Sequence, residues 1–371
     1  MYQTIYPTKD AVIYSQYPTK NTGLDQVLDL GKSALGEPSL ENDNTVFYEA
    51  TYNSRILIQF DLSNLNSIGK NAQYFLTLKG SDAVSLPYDY TVYAYPISGS
   101  WENGRGYVNS NPYSEDGVSW KYRYSKLDGR MWSTSSLGSN VTASYATIPY
   151  GGNWYTSSAA SQSFNFDLPD IRMDVTSIVK SWLSGSIQNN GFILKFSDSD
   201  EFNTKILGLV QFYSMNSHTI YLPRLESYWN DSDLSGTGSF AEIGSDDFVL
   251  HVKNLRDSYS TNEKPKVRIS VRDRFIDQTY ATSSVYLDGK RLPINSYFQI
   301  QDTVTDEIII PFHPSGTLLS CDSNGNYFKM DTNSLLPERT YKMVFKSEFE
   351  NGDVIRVVDD NYNFKVKRNS F

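Results

Sequence analysis

The chain holds a single cysteine, Cys321, so no disulfide can form within it and no cysteine-based zinc site can be built. A β-rich chain of this kind folds in a reducing compartment or needs no covalent staple. Histidine is almost as scarce. His218, His251 and His313 are scattered, with no partner at metal-ligand spacing, and each reads as a core or surface histidine. The nucleophile elbow Gly-x-Ser-x-Gly, the zinc motif His-Glu-x-x-His, the phosphate loop and the dinucleotide fingerprint are all missing. Hydrolysis would then need two carboxylates brought together from remote strands, which the 42 acidic residues neither exclude nor support. No apolar run approaches the roughly 18 residues of a membrane span. The opening Met1-Tyr2-Gln3-Thr4-Ile5-Tyr6-Pro7 has neither the basic nor the apolar part of a signal peptide. Positive charge is short too: 33 Lys and Arg against 42 Asp and Glu give a net −9. That argues against a protein held to nucleic acid by phosphate neutralisation. Together these absences predict a soluble protein made in the cytoplasm, with no nucleic-acid or membrane partner.

What the chain does have is tyrosine, 28 of them beside 19 Phe and 6 Trp. A large apolar ring with a polar tip suits the half-buried face of a strand. Strand signals follow. Arg55-Ile56-Leu57-Ile58-Gln59-Phe60-Asp61 is a β-branched and aromatic run, and Tyr74-Phe75-Leu76-Thr77-Leu78-Lys79 is another. Asp89-Tyr90-Thr91-Val92-Tyr93-Ala94-Tyr95 alternates on period two, and Gly191-Phe192-Ile193-Leu194-Lys195-Phe196 and Thr219-Ile220-Tyr221-Leu222 come later. Residues 97–165 form a long polar stretch that carries Trp101, Trp120, Trp132 and Trp154. A structureless loop that long does not suit a compact domain, so irregular strands and aromatic-stapled loops are expected there.

One segment reads as helix. Val175, Ile178, Val179, Trp182 and Leu183 fall on a single apolar stripe, with Asp174 as N-cap and Gly185 as the stop. The helix is expected over 174–184, with Trp182 plugging one end of a sandwich. At 371 residues the chain is long enough for two domains. The Gly/Ser/Asp-rich stretch 230–245 reads as the linker between a domain at 1–229 and one at 246–371. In the second, Val267, Ile269 and Val271 alternate with polar neighbours. Asp288-Gly289 and Asn351-Gly352 each mark a hairpin. Strands and hairpins without a helical period predict an immunoglobulin-like β-sandwich.

Two acidic stretches invite a metal reading. Asp322-Ser323-Asn324-Gly325-Asn326 places oxygen donors at calcium-loop positions one, three and five. Tyr327 then stands where Gly is needed and Asn333 where a bidentate Glu is needed, so a hairpin turn is the better reading. Asp198, Asp200 and Glu201 crowd one loop, which would suit calcium at a sandwich edge or be a solvated turn between Phe196 and Phe202. No other cofactor is implied. The tryptophans of the long stretch have two readings as well. Exposed, Trp101, Trp120, Trp132 and Trp154 would stack on sugar rings; buried, they would staple loops onto a sandwich.

The first 230 residues also follow an order of blocks. Asp10-Ala11-Val12-Ile13-Tyr14 and Asn21-Thr22-Gly23 lead to Ser54-Arg55-Ile56-Leu57-Ile58-Gln59-Phe60-Asp61-Leu62-Ser63. Then come Ser100-Trp101-Glu102, Gly117-Val118-Ser119-Trp120, Asp174-Val175-Thr176 with Trp182, Asn190-Gly191-Phe192-Ile193-Leu194 and Pro223-Arg224-Leu225-Glu226. This order resembles the DNRLRE family, a jelly-roll β-sandwich related to carbohydrate-binding modules. The resemblance covers about 60% of the chain. It gives Arg55, Asp61, Asp174 and Trp182 structural roles. Members of that family usually sit in secreted bacterial surface proteins behind a signal peptide, which this start does not show. Versions without one look like bacteriophage virion proteins, and Tyr213-Ser214 through His218-Thr219-Ile220-Tyr221-Leu222-Pro223-Arg224-Leu225-Glu226 is reminiscent of tailed-phage structural proteins. The resemblance thus implies an all-β protein, a jelly-roll sandwich with one short helix followed by an Ig-like sandwich. Its expected function is structural and non-enzymatic: a virion component of tail, neck or capsid exterior, made in the host cytoplasm. Its expected partners are other virion proteins and copies of itself. The alternative is a carbohydrate-binding protein that contacts host surface glycans through aromatic residues.

Overall fold

The computed structural model describes the chain except for residues 36–38, 41–45, 48–49, 66–70, 85–87, 134–140, 143–149, 165–169, 204, 276–288 and 369–371. Its chain divides into two compact units. One comprises Ile5–Ser67 and Gln73–Glu226. The other comprises Ser227–Phe371 with Met1–Thr4 and Ile68–Ala72. Both are all-β, built from curled, mainly antiparallel sheets in a sandwich-like arrangement, with one parallel pair between Ser258–Ser260 and Val354–Lys367.

The N-terminal unit is organised on an eight-stranded sheet. Its order is Ala160–Phe164, Tyr90–Pro96, Phe192–Phe196, Ala50–Phe60, Val27–Leu35, Gly208–Tyr213 and Gly80–Val84, with Pro7–Tyr14 also paired to Ala50–Phe60. Three of these strands carry the β-branched and aromatic runs read from the sequence, whereas the run 219–222 lies between strands, and the pairing places Ile56, Leu57 and Ile58 opposite Leu194, Ile193 and Phe192. Because side chains alternate, the central strands bury both faces. A second sheet pairs Gln73–Leu78 with Ile171–Asp174.

The helix forms at Thr176–Leu183, shorter than the apolar stripe suggests. Asp174 lies in the preceding strand, and its carboxylate accepts the Thr176 amide at 2.9 Å. It therefore caps from one position further out than expected. Gly185 ends the helix at φ +74°, where its amide reaches Trp182 O (3.0 Å) and the Ser186 amide reaches Ser181 O (3.0 Å). The left-handed turn suits a residue without Cβ. Ile178, Val179 and Trp182 face inward, and Trp182 meets Phe192 with ring centroids 4.6 Å apart. A second helix of five residues, Asp198–Phe202, occupies the acidic stretch that the sequence presents as a loop. Ser197 caps it by accepting the Asp200 amide.

The C-terminal unit stacks a four-stranded sheet (Phe248–Val252, Lys266–Asp273, Gly325–Lys329, Ser320–Asp322) and a five-stranded one. The latter runs Ser258–Ser260, Val354–Lys367, Arg339–Phe349, Ser296–Asp302 and Ile308–Ile310. Asn351 (φ +59°) and Gly352 (φ +103°) turn the long hairpin where the sequence places it. The hairpin read at Asp288-Gly289 falls outside the described residues. The Gly/Ser/Asp stretch 230–245 runs along this unit: Gly236 N donates to Cys321 O, Cys321 N to Asp233 O, and Ile243 is buried.

Candidate functional site

The four tryptophans of the long polar stretch are buried, between 1% and 3% exposed. Trp101, Trp120, Trp132 and Trp154 form one cluster with Ala11, Ile13, Leu57, Ile97, Val118 and Ile193. The indole N–H of Trp101 donates to Asn190 O (2.9 Å) and that of Trp132 to Ser119 O (3.0 Å), so these rings enter the core without an unpaired donor. No face of these rings is open to a sugar, which corrects their reading as glycan contacts. Asn21, from the Asn-Thr-Gly block, ties the same loops together. Its amide nitrogen donates to Asn103 O and Val118 O, and its oxygen accepts from Gly106 N and Gly23 N. Gly104 is there because a Cβ would lie 2.1 Å from Asp116 O.

Beneath the tryptophans lies a knot of buried charge. Arg55 grips Glu201 with two parallel bonds, Nε to Oε1 at 3.0 Å and Nη2 to Oε2 at 2.6 Å, and donates Nη1 to Gly151 O at 2.6 Å. Its guanidinium stacks over Trp120 and Trp154, 4.7 and 5.2 Å from the ring centres. Lys195 reaches Glu201 (3.2 Å) and Asp198 (2.6 Å). Arg55, Lys195 and Glu201 are each at most 1% exposed at the side chain. Lys32 holds the same segment by donating to Asp200 O (2.6 Å) and to both oxygens of Asn203, and burial pulls its ammonium down to about 8. Bidentate, ring-stacked arginine is the group suited to a buried ion pair.

This geometry corrects the calcium reading of Asp198, Asp200 and Glu201. Glu201 and Asp198 are bound by protein cations, and the Asp200 carboxylate accepts the Ser197 hydroxyl at 2.6 Å. Among the described residues no group of three or more His, Cys, Asp or Glu is placed to hold a metal ion. Asp322 behaves as a hairpin residue, bound by Arg268 at 2.6 and 2.8 Å. The Arg268 guanidinium holds its carboxyl well below the usual range. Asp61 caps the turn Ser63–Leu65 by accepting from Ser63 N and Oγ. His218 and His251 are exposed, while His313 stacks on Tyr228 at 4.2 Å and accepts the Ser315 and Gly316 amides.

What the sequence did not reveal is a cleft of about 140 Å³ in the N-terminal unit, whose lining includes Tyr14, Gln16, Tyr17, Asp29, Ser33 and Tyr52. Register sets its floor. Ser33 lies opposite Tyr52 and Gly31 opposite Leu209, so the strand face bearing Asp29, Gly31 and Ser33 carries no bulk at its centre. Tyr14 Oη donates to Asp29 Oδ2 at 2.7 Å, and Gln211 Nε2 donates to Oδ1 at 2.9 Å. Burial and the Asp29 charge push the Tyr14 phenol well above its ordinary value, so it remains a donor. No signal in the local sequence announces the cleft, because its walls come from four separate segments, at 14–17, 29–33, 52–54 and 208–209.

Comparison with protein-family models gives no match, and comparison with curated proteins gives none.

Proposed function

We propose that the chain is a non-enzymatic structural component of a bacteriophage virion, in the tail, neck or capsid exterior. There it assembles with other virion proteins and with copies of itself. The observation that carries this reading is how the long loops of the N-terminal unit are fastened. Four buried tryptophans and a buried Arg55–Glu201–Lys195 knot hold them without a disulfide. A particle protein is made in a reducing cytoplasm and must keep its shape outside it, so its loops need non-covalent anchors of this kind. The resemblance of the first 230 residues to the DNRLRE family, and of residues 213–226 to tailed-phage proteins, supplies the setting. A net charge of −9 keeps free subunits soluble before assembly.

The test is to separate a lysate of the producing cells on a density gradient and follow this chain's peptides by mass spectrometry. Migration with intact particles at a fixed copy ratio is expected, and the ratio reports the symmetry of the assembly. A chain that stays at the top of the gradient while particles sediment defeats the proposal.

A further inference from the structure

Lys32 differs from the other lysines of the N-terminal unit in what its amine meets. The residue is wholly buried. Nζ donates to Asp200 O at 2.6 Å, to Asn203 O, and to the side-chain oxygen of Asn203 at 3.0 Å. The carboxamide carbon is one C=O bond beyond that oxygen, so Nζ lies within about 4.2 Å of it. The Asn203 side-chain oxygen also accepts the Lys205 amide at 2.9 Å, an N–H placed to polarise the carbonyl. Both donors use Oδ1, and the carboxamide nitrogen has no partner among the described residues. Lys195 is equally buried, but its side-chain partners are the carboxylates of Asp198 and Glu201, and an ionised carboxylate is no electrophile.

We propose that Lys32 and Asn203 join in an intramolecular isopeptide bond that the folded chain forms by itself. Once the ammonium has lost a proton to solvent, Nζ bonds to the Asn203 carboxamide carbon and the bond from that carbon to Nδ2 breaks. Nδ2 leaves as ammonia, carrying the proton that Nζ gives up. Nothing is oxidised or reduced, and no co-reactant is consumed. Burial, which brings the ammonium down to about 8, keeps part of the amine neutral near pH 7. The two N–H groups that remain still serve Asp200 O and Asn203 O, and the lone pair is left for the carboxamide. The Lys205 amide then meets the negative charge that gathers on Oδ1 in the tetrahedral adduct. Asn53 stands opposite Lys32 in the ladder, and its buried Oδ1, with no partner, is an acceptor for the extra N–H of that adduct. Folding supplies the proximity, because Lys32 is fixed in the strand Val27–Leu35 and Asn203 ends the helix Asp198–Phe202. The bond would fasten the segment that carries Glu201 across 171 positions of chain, without a cysteine. This inference stands apart from the virion reading: it concerns the covalent state of the chain, and sedimentation with particles neither supports nor opposes it.

The test is mass spectrometry of the full chain, denatured and reduced, first intact and then digested. The intact chain is expected to be lighter by one ammonia than the chain with both side chains free. The digest should yield a branched peptide in which Lys32 is joined to Asn203. Lys32→Met and Asn203→Ala should each restore the missing ammonia and abolish the branched peptide. Both variants should also migrate more slowly than the parent in a denaturing gel, because only the parent keeps a closed loop. The parent's own mass and peptides decide the matter even where a variant fails to fold. An intact mass with no ammonia missing overturns the proposal, and so does a digest in which Lys32 and Asn203 appear only in separate linear peptides. An ammonia deficit that persists in Lys32→Met overturns it equally, because the loss then belongs to another asparagine.

Discussion

Asp10 is the residue whose charge the fold supports least. It is 1% exposed, one carboxylate oxygen accepts the Met215 amide at 2.6 Å, and the other has no partner. Burial pushes its carboxyl up to about 7, and Asp25 rises to about 6 for the same reason. A raised folded-state value means that the native state holds more protons than the unfolded chain from about pH 4 upward. Stability from this group is therefore lost as pH rises toward 7. Asp10→Asn keeps an acceptor for Met215 and removes the charge. Relative to the parent it should gain up to about 1.4 kcal/mol per pH unit across that window. Urea unfolding at pH 5 and pH 7.5 measures this, and an equal difference at both values would show that Asp10 is not buried as a carboxylate. Arg55 makes the opposite case. Arg55→Ala leaves Glu201 in the core without its bidentate partner, with Lys195 still paired to it, and breaking a buried pair this way costs about 3–5 kcal/mol. A loss below about 1 kcal/mol in the same urea assay would place the knot in water. The two residues also show what the sequence makes legible. Arg55 announces itself within a strand block, but its partner lies 146 positions away. From the sequence Glu201 looks like one of three loop carboxylates, and a calcium ligand is a natural misreading when the cations that neutralise it arrive from other strands.

Elements were more legible than sites, for a physical reason. Hydrophobic period is a local property, so the strands around Ile56, Leu76, Val92, Ile193 and Met343 and the stripe of Ile178, Val179 and Trp182 can be read from consecutive residues. Exposure of a ring is not local. Trp120 and Tyr17 look equally suited to a surface or a core. The first is buried with Arg55 over its ring and Gly151 against it, whereas the second, with Lys20 over its ring, stays 41% exposed. The helix gives two element-scale predictions. Trp182→Ala removes the ring packed on Phe192 and should cost about 3–5 kcal/mol. Gly185→Ala meets no atom within 4 Å, so its cost is backbone strain at φ +74° alone, about 1 kcal/mol. Thermal melts of the pair separate packing from strain, and equal shifts would contradict the assignment.

At the scale of the whole molecule, the division into two units has a consequence for unfolding. The N-terminal unit carries its own core in Leu57, Ile193 and the tryptophan cluster, and the C-terminal unit carries another in Phe298, Phe328, Met343 and Phe345. Separate cores of this kind violate the conditions for a single all-or-none transition. Calorimetry of the full chain should show two transitions, and the van't Hoff enthalpy should fall below the calorimetric one. Substitutions assign them. Arg55→Ala should lower one transition and leave the other in place. Phe345→Ala, which opens a cavity beside Phe328 at a cost of about 3–5 kcal/mol, should do the reverse. One sharp transition moved equally by both variants would mean that the two cores melt as a unit. In that case the loop anchors around Arg55 would stabilise the entire chain, and the chain would keep or lose its shape all at once.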